Sequence, residues 1–364
     1  MALQVGIVGL PNSGKSTLFN ALTRAGAPVA SYPFSTVEPN VGVVLLPDER
    51  LEKLAKAAGC EKMVPASIRF VDIAGLVEGA HRGEGLGNQF LAHIREVDAI
   101  AHTVRCFSDP HVAHVAATID PSRDIDIVNA ELIMADLETV ERRLGKVGKT
   151  AKSGDRESQR NYQVLEEARD ALQKGKALRT IQLDPEERLY LQSLFPLTLK
   201  PVIYVANLGE EYLPDGGPYL QEVREKALED GGEMVAFCAK LESEIEELDP
   251  EDLDEFLASF GVEELGLHKF ITTCFRLLGL ITFFTVESGE CRAWPVAQGT
   301  PAARAAGKIH SDMEKGFIRA EILTFDQFLQ YGSMHAAREA GALRLEGRDY
   351  PVKDGEVIRF RFST

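Results

Sequence analysis

Residues Gly9-Leu10-Pro11-Asn12-Ser13-Gly14-Lys15-Ser16-Thr17 satisfy the spacing G-x-x-x-x-G-K-[ST] and follow directly on an apolar run, Leu3 to Val8. A strand, a glycine turn and a helix start in that order expose successive backbone N–H groups at a helix N-terminus, where the dipole also favours an anion. The spacing therefore predicts a phosphate cradle built from Asn12, Ser13, Gly14, Lys15, Ser16 and Thr17. Lys15 is expected to reach the β- and γ-phosphates of a nucleotide and Ser16 to ligate Mg²⁺.

A second element agrees with the first. Ile68-Arg69-Phe70-Val71-Asp72 reads as a strand ending in a carboxylate, and Gly75 completes D-x-x-G. Asp72 is expected to hold Mg²⁺ through a water, with the Gly75 N–H sensing the γ-phosphate at the head of a glycine-rich switch loop. Between the two motifs lies Tyr32-Pro33-Phe34-Ser35-Thr36-Val37-Glu38-Pro39-Asn40, where Thr36 is the expected third metal ligand.

Around these motifs the chain alternates apolar runs with amphipathic stretches, the pattern of a parallel sheet with crossover helices. The strand candidates are Leu3 to Val8, Ile68 to Val71, Ala99 to Val104, Pro201 to Ala206 and Met234 to Phe237. Asp126 to Lys200 is too long for a loop inside a compact domain. Within it Leu132, Ala135, Leu137, Val140 and Leu144 recur at helical spacing, and a second helical stretch, Asn161 to Lys174, stops at Gly175, so an inserted helical hairpin is expected. From Thr282 onward, short β-rich runs (Thr282 to Val286, Ile318 to Leu323, Val357 to Phe362) and an Asp354-Gly355 turn predict a small α+β domain. The expected architecture is α/β, with a nucleotide-binding domain in two pieces (1–125 and 201–280), an insertion at 126–200 and a last domain at 281–364.

With 40 basic and 56 acidic residues, the net charge of −16 excludes a uniformly basic nucleic-acid binder. Nine acids fall in Glu242 to Glu255, read as a solvated face. Glu141 to Arg160 runs the other way, with seven basic residues (Arg142, Arg143, Lys146, Lys149, Lys152, Arg156, Arg160) against three acidic ones. That stretch predicts a basic stripe on the helical insertion, suited to a phosphate backbone. Five dispersed cysteines without a CxxC pair, an N-terminal stretch unlike a signal peptide and no membrane-length apolar run lead to the expectation of a cytoplasmic protein.

The combination of GLPNSGKST, YPFSTVEPN, DIAGLVEGAHRGEGLGNQFL, AGKIHSDMEKGFIRAEI and VKDGEVIRFRF resembles the YchF group, Obg-like ATPases within the Obg branch of the P-loop NTPases. The resemblance spans nearly the whole chain, and the last domain resembles a β-grasp TGS module. An Obg protein proper carries a glycine-rich domain before its P-loop; here the loop begins at Gly9, so the YchF group is expected instead.

The resemblance implies a slow, Mg²⁺-dependent ATPase that acts as a nucleotide-controlled switch on the ribosome or its RNA, monomeric and without a membrane. Two features set it apart from guanine-specific relatives. Their N-K-x-D element is here Asn207-Leu208-Gly209-Glu210, which lacks the Asp that accepts from guanine, and their S-A-K is Cys238-Ala239-Lys240. The resemblance thus implies ATP and ADP as ligands in preference to GTP and GDP, with Asn207, Leu208, Glu210, Cys238, Ala239 and Lys240 around the base. The residue that orients the attacking water in Ras-like enzymes is here Leu76, which does neither that nor any proton transfer. His114 is the candidate replacement, ahead of His111 and His81. Asn12 stands where some related NTPases bind K⁺ beside the phosphates. Two alternatives remain from sequence: a GTPase of the Obg type, and an RNA-binding scaffold with structural nucleotide.

Overall fold

The computed structural model describes residues 3–24, 40–73, 86–109, 112, 118–151, 155–245, 252–262, 264–287 and 289–363. The strands run in chain order as β1 (Gln4–Val8), β2 (Asn40–Leu45), β3 (Lys62–Val64), β4 (Ser67–Asp72), β5 (Ala99–Cys106), β6 (Val202–Leu208), β7 (Glu233–Phe237), β8 (Leu280–Glu287), β9 (Glu290–Ala297), β10 (Phe317–Leu323), β11 (Arg344–Glu346) and β12 (Val357–Phe362). Each strand expected from sequence falls on one of them. Two compact units result, Met1–Val44 with Arg69–Cys274, and Leu45–Ile68 with Phe275–Thr364.

The first unit is built on a sheet of order β2-β4-β1-β5-β6-β7. β1 pairs in parallel with both β4 and β5, β5 with β6 and β6 with β7. β5 and β6 are buried along their whole length, as strands covered on both faces must be. The parallel pairing places the C-terminal ends of β1, β4, β6 and β7 along one edge, the place where open parallel sheets bind ligands.

The helical hairpin is present and starts earlier than its sequence boundary. Helix Pro121–Ala151 begins five residues before Asp126, and its first half puts Ile125, Val128, Leu132 and Ala135 into the core of the sheet with Ile100, Val202 and Ala206. From Ile133 onward it also forms a separate core, Val140 and Leu144 packing with Val164, Leu165, Ala168 and Leu172 of helix Arg156–Gln173. One helix thus serves two cores. The returning chain is fastened by Asp136, buried to 2% exposure, which accepts from the Leu197 and Thr198 N–H groups at 2.8 Å each and from the Thr198 hydroxyl at 2.6 Å.

In the second unit the sheet order is β11-β10-β12-β8-β9-β3. Residues 45–68, which the sequence boundaries assign to the nucleotide-binding part, belong here. The reason is pairing: β3 lies parallel to β9, with Met63 opposite Cys291. Helix Glu49–Ala58, capped by Asp48 and ended by Gly59, packs on β8 and β9 and sets the Arg50 guanidinium 5.3 Å above the Phe284 ring. The Asp354-Gly355 turn forms as expected, with Gly355 at φ 79°.

Replacing Asp136 by Ala leaves two buried N–H groups without an acceptor and is expected to lower stability by about 3 kcal/mol. Urea denaturation followed by circular dichroism measures it, with Asp136→Asn recovering part of the loss.

Candidate nucleotide site

The phosphate loop joins β1 to helix Lys15–Arg24, and its backbone leaves ordinary conformations at three residues, Gly9 (φ 151°), Asn12 (φ 62°) and Gly14 (φ 96°). Gly14 has no room for a side chain, since a Cβ there would lie 2.1 Å from the Asn207 Nδ2 atom. Its φ and the close neighbour give the same requirement, so the glycine is a packing necessity as much as a turn residue.

Lys15 is buried to 8% exposure and donates to the Leu10 carbonyl at 2.8 Å, folding its ammonium back across the loop. Burial lowers its pKa to about 8, against an opposing pull from the Asp72 carboxylate. The Ser16 hydroxyl lies 3.5 Å from Asp72 Oδ2. Burial raises the Asp72 carboxyl, and the Lys15 charge and Ser16 hydroxyl hold it down. The two motifs that sequence put 56 residues apart therefore meet, because β1 and β4 are neighbours in register, with Ile7 opposite Asp72. Ser13 Oγ is buried beside them without a hydrogen-bond partner among the described residues, while Ser16 and Thr17 are exposed at the loop's outer side.

The base-side residues are tied into the fold. Asn207, expected to touch the base, is 2% exposed and already holds protein partners at both polar atoms: Nδ2 donates to the Ser13 carbonyl at 3.0 Å and Oδ1 accepts from the Ala239 N–H at 3.1 Å. It ties the phosphate loop to the segment that follows β7. The Leu208 side chain is 3% exposed in the main core. Glu210 is ion-paired with the exposed Lys240, which raises the Lys240 ammonium. Cys238 is buried, its thiol pushed up to about 11 chiefly by desolvation.

Two residues escaped the sequence reading. His102 on β5 is 2% exposed and packs on the Tyr204 ring at 5.3 Å; burial, with the nearby Lys15 charge adding to it, lowers its pKa to about 3 and keeps it neutral. Arg105 stacks on Phe107 at 4.5 Å and donates to the Phe107 and Val112 carbonyls, fixing the segment that leaves β5. A continuous apolar run conceals both, since each sits inside a strand buried along its whole length. Thr36, Gly75, Leu76, His81, His111 and His114 lie outside the described residues.

The basic stripe divides. Arg95, Arg142, Arg143 and Lys146 line a surface hollow of about 320 Å³ together with Thr139 and Leu194. Arg160 is ion-paired with Asp184 and Glu186 and offers little net charge. Lys152 lies outside the described residues. In the acidic run, Glu242 departs from the expected solvated face: it is buried and accepts from the Leu267 N–H at 3.1 Å.

A parallel sheet with a phosphate loop after its first strand and a carboxylate at the end of the adjacent one defines the P-loop NTPase class. The 50S ribosome-binding GTPase family pattern matches residues 4–143, and a YchF GTPase C-terminal domain, described as of unknown function, matches residues 280–363. The chain belongs to the YchF family: it is 48% identical to the ribosome-binding ATPase YchF of Bacillus subtilis and 50% identical to that of Haemophilus influenzae, each alignment covering all of both chains. The structure of the Schizosaccharomyces pombe YchF GTPase superposes with a TM-score of 0.87 at 34% identity, covering 99% of this chain and 98% of that one.

At pH 8 about half of the Lys15 side chains are uncharged, so a polyphosphate that restores the charged form takes up as much as about half a proton, falling toward zero by pH 6. Calorimetry of nucleotide binding in buffers of different ionisation enthalpy measures this uptake, which Lys15→Arg is expected to abolish.

Proposed function

We propose that the chain is a Mg²⁺-dependent ATPase, converting ATP to ADP and phosphate as a slow switch that binds the ribosome through its RNA. The convergence of the buried Lys15 ammonium, the Ser16 hydroxyl and the Asp72 carboxylate carries this reading. A hydroxyl and a carboxylate are hard oxygen donors of the kind Mg²⁺ takes, and Ser16 and Asp72 would hold the ion. Bound there, it supplies neutralisation of the charge shared by the β- and γ-phosphates. Lys15 would bind the same phosphates, and the backbone N–H groups from Ser13 to Thr17 would orient them.

The preference for ATP rests on Glu210 and Lys240. Guanine recognition needs a carboxylate free to accept from two donors, and the Glu210 carboxylate is already paired with Lys240. The bacterial relatives are named ATPases, whereas the fission yeast relative is described as a GTPase, which keeps GTP as the second reading. Thr36 as third metal ligand, Gly75 as γ-phosphate sensor and His114 as the group that orients water complete the proposed site. Leu76 supplies no such group, which accounts for slow turnover. Comparing hydrolysis in K⁺ and Na⁺ tests Asn12 as a potassium-site residue. We further propose a cytoplasmic monomer; no described helix is long and apolar enough to cross a membrane.

Calorimetry on nucleotide-stripped protein is expected to show ATP bound more tightly than GTP, and Lys15→Ala to lose both ligands and hydrolysis. Tight GDP with no measurable ADP would overturn the base assignment, and unchanged turnover in Lys15→Ala would overturn the site.

For the RNA partner, the hollow formed by Arg95, Arg142, Arg143 and Lys146 is the proposed contact, supported by the ribosome-binding names of the relatives. Arg142→Ala, Arg143→Ala and Lys146→Ala combined should weaken co-sedimentation with ribosomes and reduce the slope of log affinity against log salt by about two. Association indifferent to ATP, ADP or neither would favour the scaffold reading over the switch.

A further inference from the structure

We infer that Cys60 and Cys291 form an oxidisable dithiol, a modification site at which a peroxide converts two thiols into one disulfide. Their Sγ atoms lie 3.3 Å apart, though 231 residues separate them in the chain. Closing that gap to a bonded distance needs a shift of about 1.3 Å in all.

Both backbones are held in place. Helix Glu49–Ala58 ends at Gly59 in the left-handed conformation, and the Cys60 N–H bonds the Ala55 carbonyl at 2.9 Å, which fixes the turn that presents Cys60. Cys291 sits between two strands, opposite Met63 of β3 and Val286 of β8. Exposure separates their roles: Cys60 is partly exposed, whereas Cys291 is 1% exposed. Burial pushes the Cys291 thiol up to about 12, so it is inert toward a dissolved oxidant and acts only on an electrophile held in contact with it.

The chemistry follows from that order. Peroxide reaches Cys60; its O–O bond breaks, one oxygen is transferred to the sulfur to give a sulfenic acid, and the other leaves as water. Cys291 Sγ then attacks Cys60 Sγ, the S–O bond breaks, and the departing hydroxide takes the Cys291 proton to leave as a second water. One peroxide is reduced by two electrons and the thiol pair is oxidised by two. The bond formed fastens residues 45–68 to β9, and those residues continue without interruption into β4 and Asp72. Cys106, Cys238 and Cys274 are buried and serve as internal controls.

The test uses the full chain, reduced, freed of reductant, exposed to hydrogen peroxide and alkylated before peptide mapping without reduction. One linked pair, Cys60 with Cys291, is expected, with loss of two hydrogens and full reversal by dithiothreitol. Cys291→Ser should leave Cys60 as a sulfenic acid that dimedone traps, and Cys60→Ser should leave Cys291 unmodified over the same peroxide range. Recovery of both thiols in alkylated form, a Cys60 sulfinic acid beside a free Cys291, or a link from Cys60 to another cysteine would each overturn the proposal. The wild-type map decides the matter by itself if either variant fails to fold.

Discussion

The Asn207 side chain is the tie on which the nucleotide edge depends. Its amide joins the Ser13 carbonyl of the phosphate loop to the Ala239 N–H at the start of the helix after β7, so three segments far apart in sequence share one rigid group. Because both bonds are buried, removing the amide would strand a carbonyl and an N–H together, and such unmet groups cost about 1 to 3 kcal/mol each. Gly14 belongs to the same device, since only a residue without a Cβ lets the amide approach. The phosphate loop takes its shape as much from β6 as from its own sequence.

This division of labour explains which parts of the site were legible in the sequence. The phosphate loop and Asp72 follow local rules, a glycine spacing and a strand ending in a carboxylate, and the structure brings Ser16 and Asp72 within 3.5 Å. The tetrapeptide spacing puts Asn207 at the nucleotide edge, while its bonds to Ser13 and Ala239 are visible only in the fold. A tetrapeptide resemblance carries the role a residue has in relatives, and says nothing of whether its amide is already occupied by the fold. Leu208 is a similar case: strand alternation gives its neighbours in the sheet, while burial on both faces of β6 sends its side chain into the core. His102 and Arg105 were invisible because a polar residue inside an apolar run has no periodicity of its own.

At the level of the fold, five of the six strands of the nucleotide-binding sheet and both helices of the hairpin are legible, because long runs of one period dominate those stretches. β3 and β11, three residues each, carry too short a pattern to register, and β2 and β9 are the longer strands absent from the sequence reading. The boundary at residue 126 failed for a related reason: helix Pro121–Ala151 keeps a single period while its partners change from the sheet to Val164 and Leu165. Periodicity records that a face is buried and not against what. The charge pattern has the same limit, as the pairing of Arg160 with Asp184 and Glu186, and of Arg142 with Glu138, is visible only once the fold is known.

The pairing of β3 with β9 bears on how the chain is made. Lys62 leaves the ribosome long before its partner Glu290 exists, and at translation rates of about 5 to 20 residues per second the delay is roughly 10 to 45 s. During that interval helix Glu49–Ala58 has no β8 or β9 to cover, and its apolar residues Leu51, Leu54 and Ala55 wait without a surface. The second unit is therefore assembled by an early segment held in reserve for a late one, so a fragment cut at residue 281 would lack both the edge strand and the helix that shields Phe284.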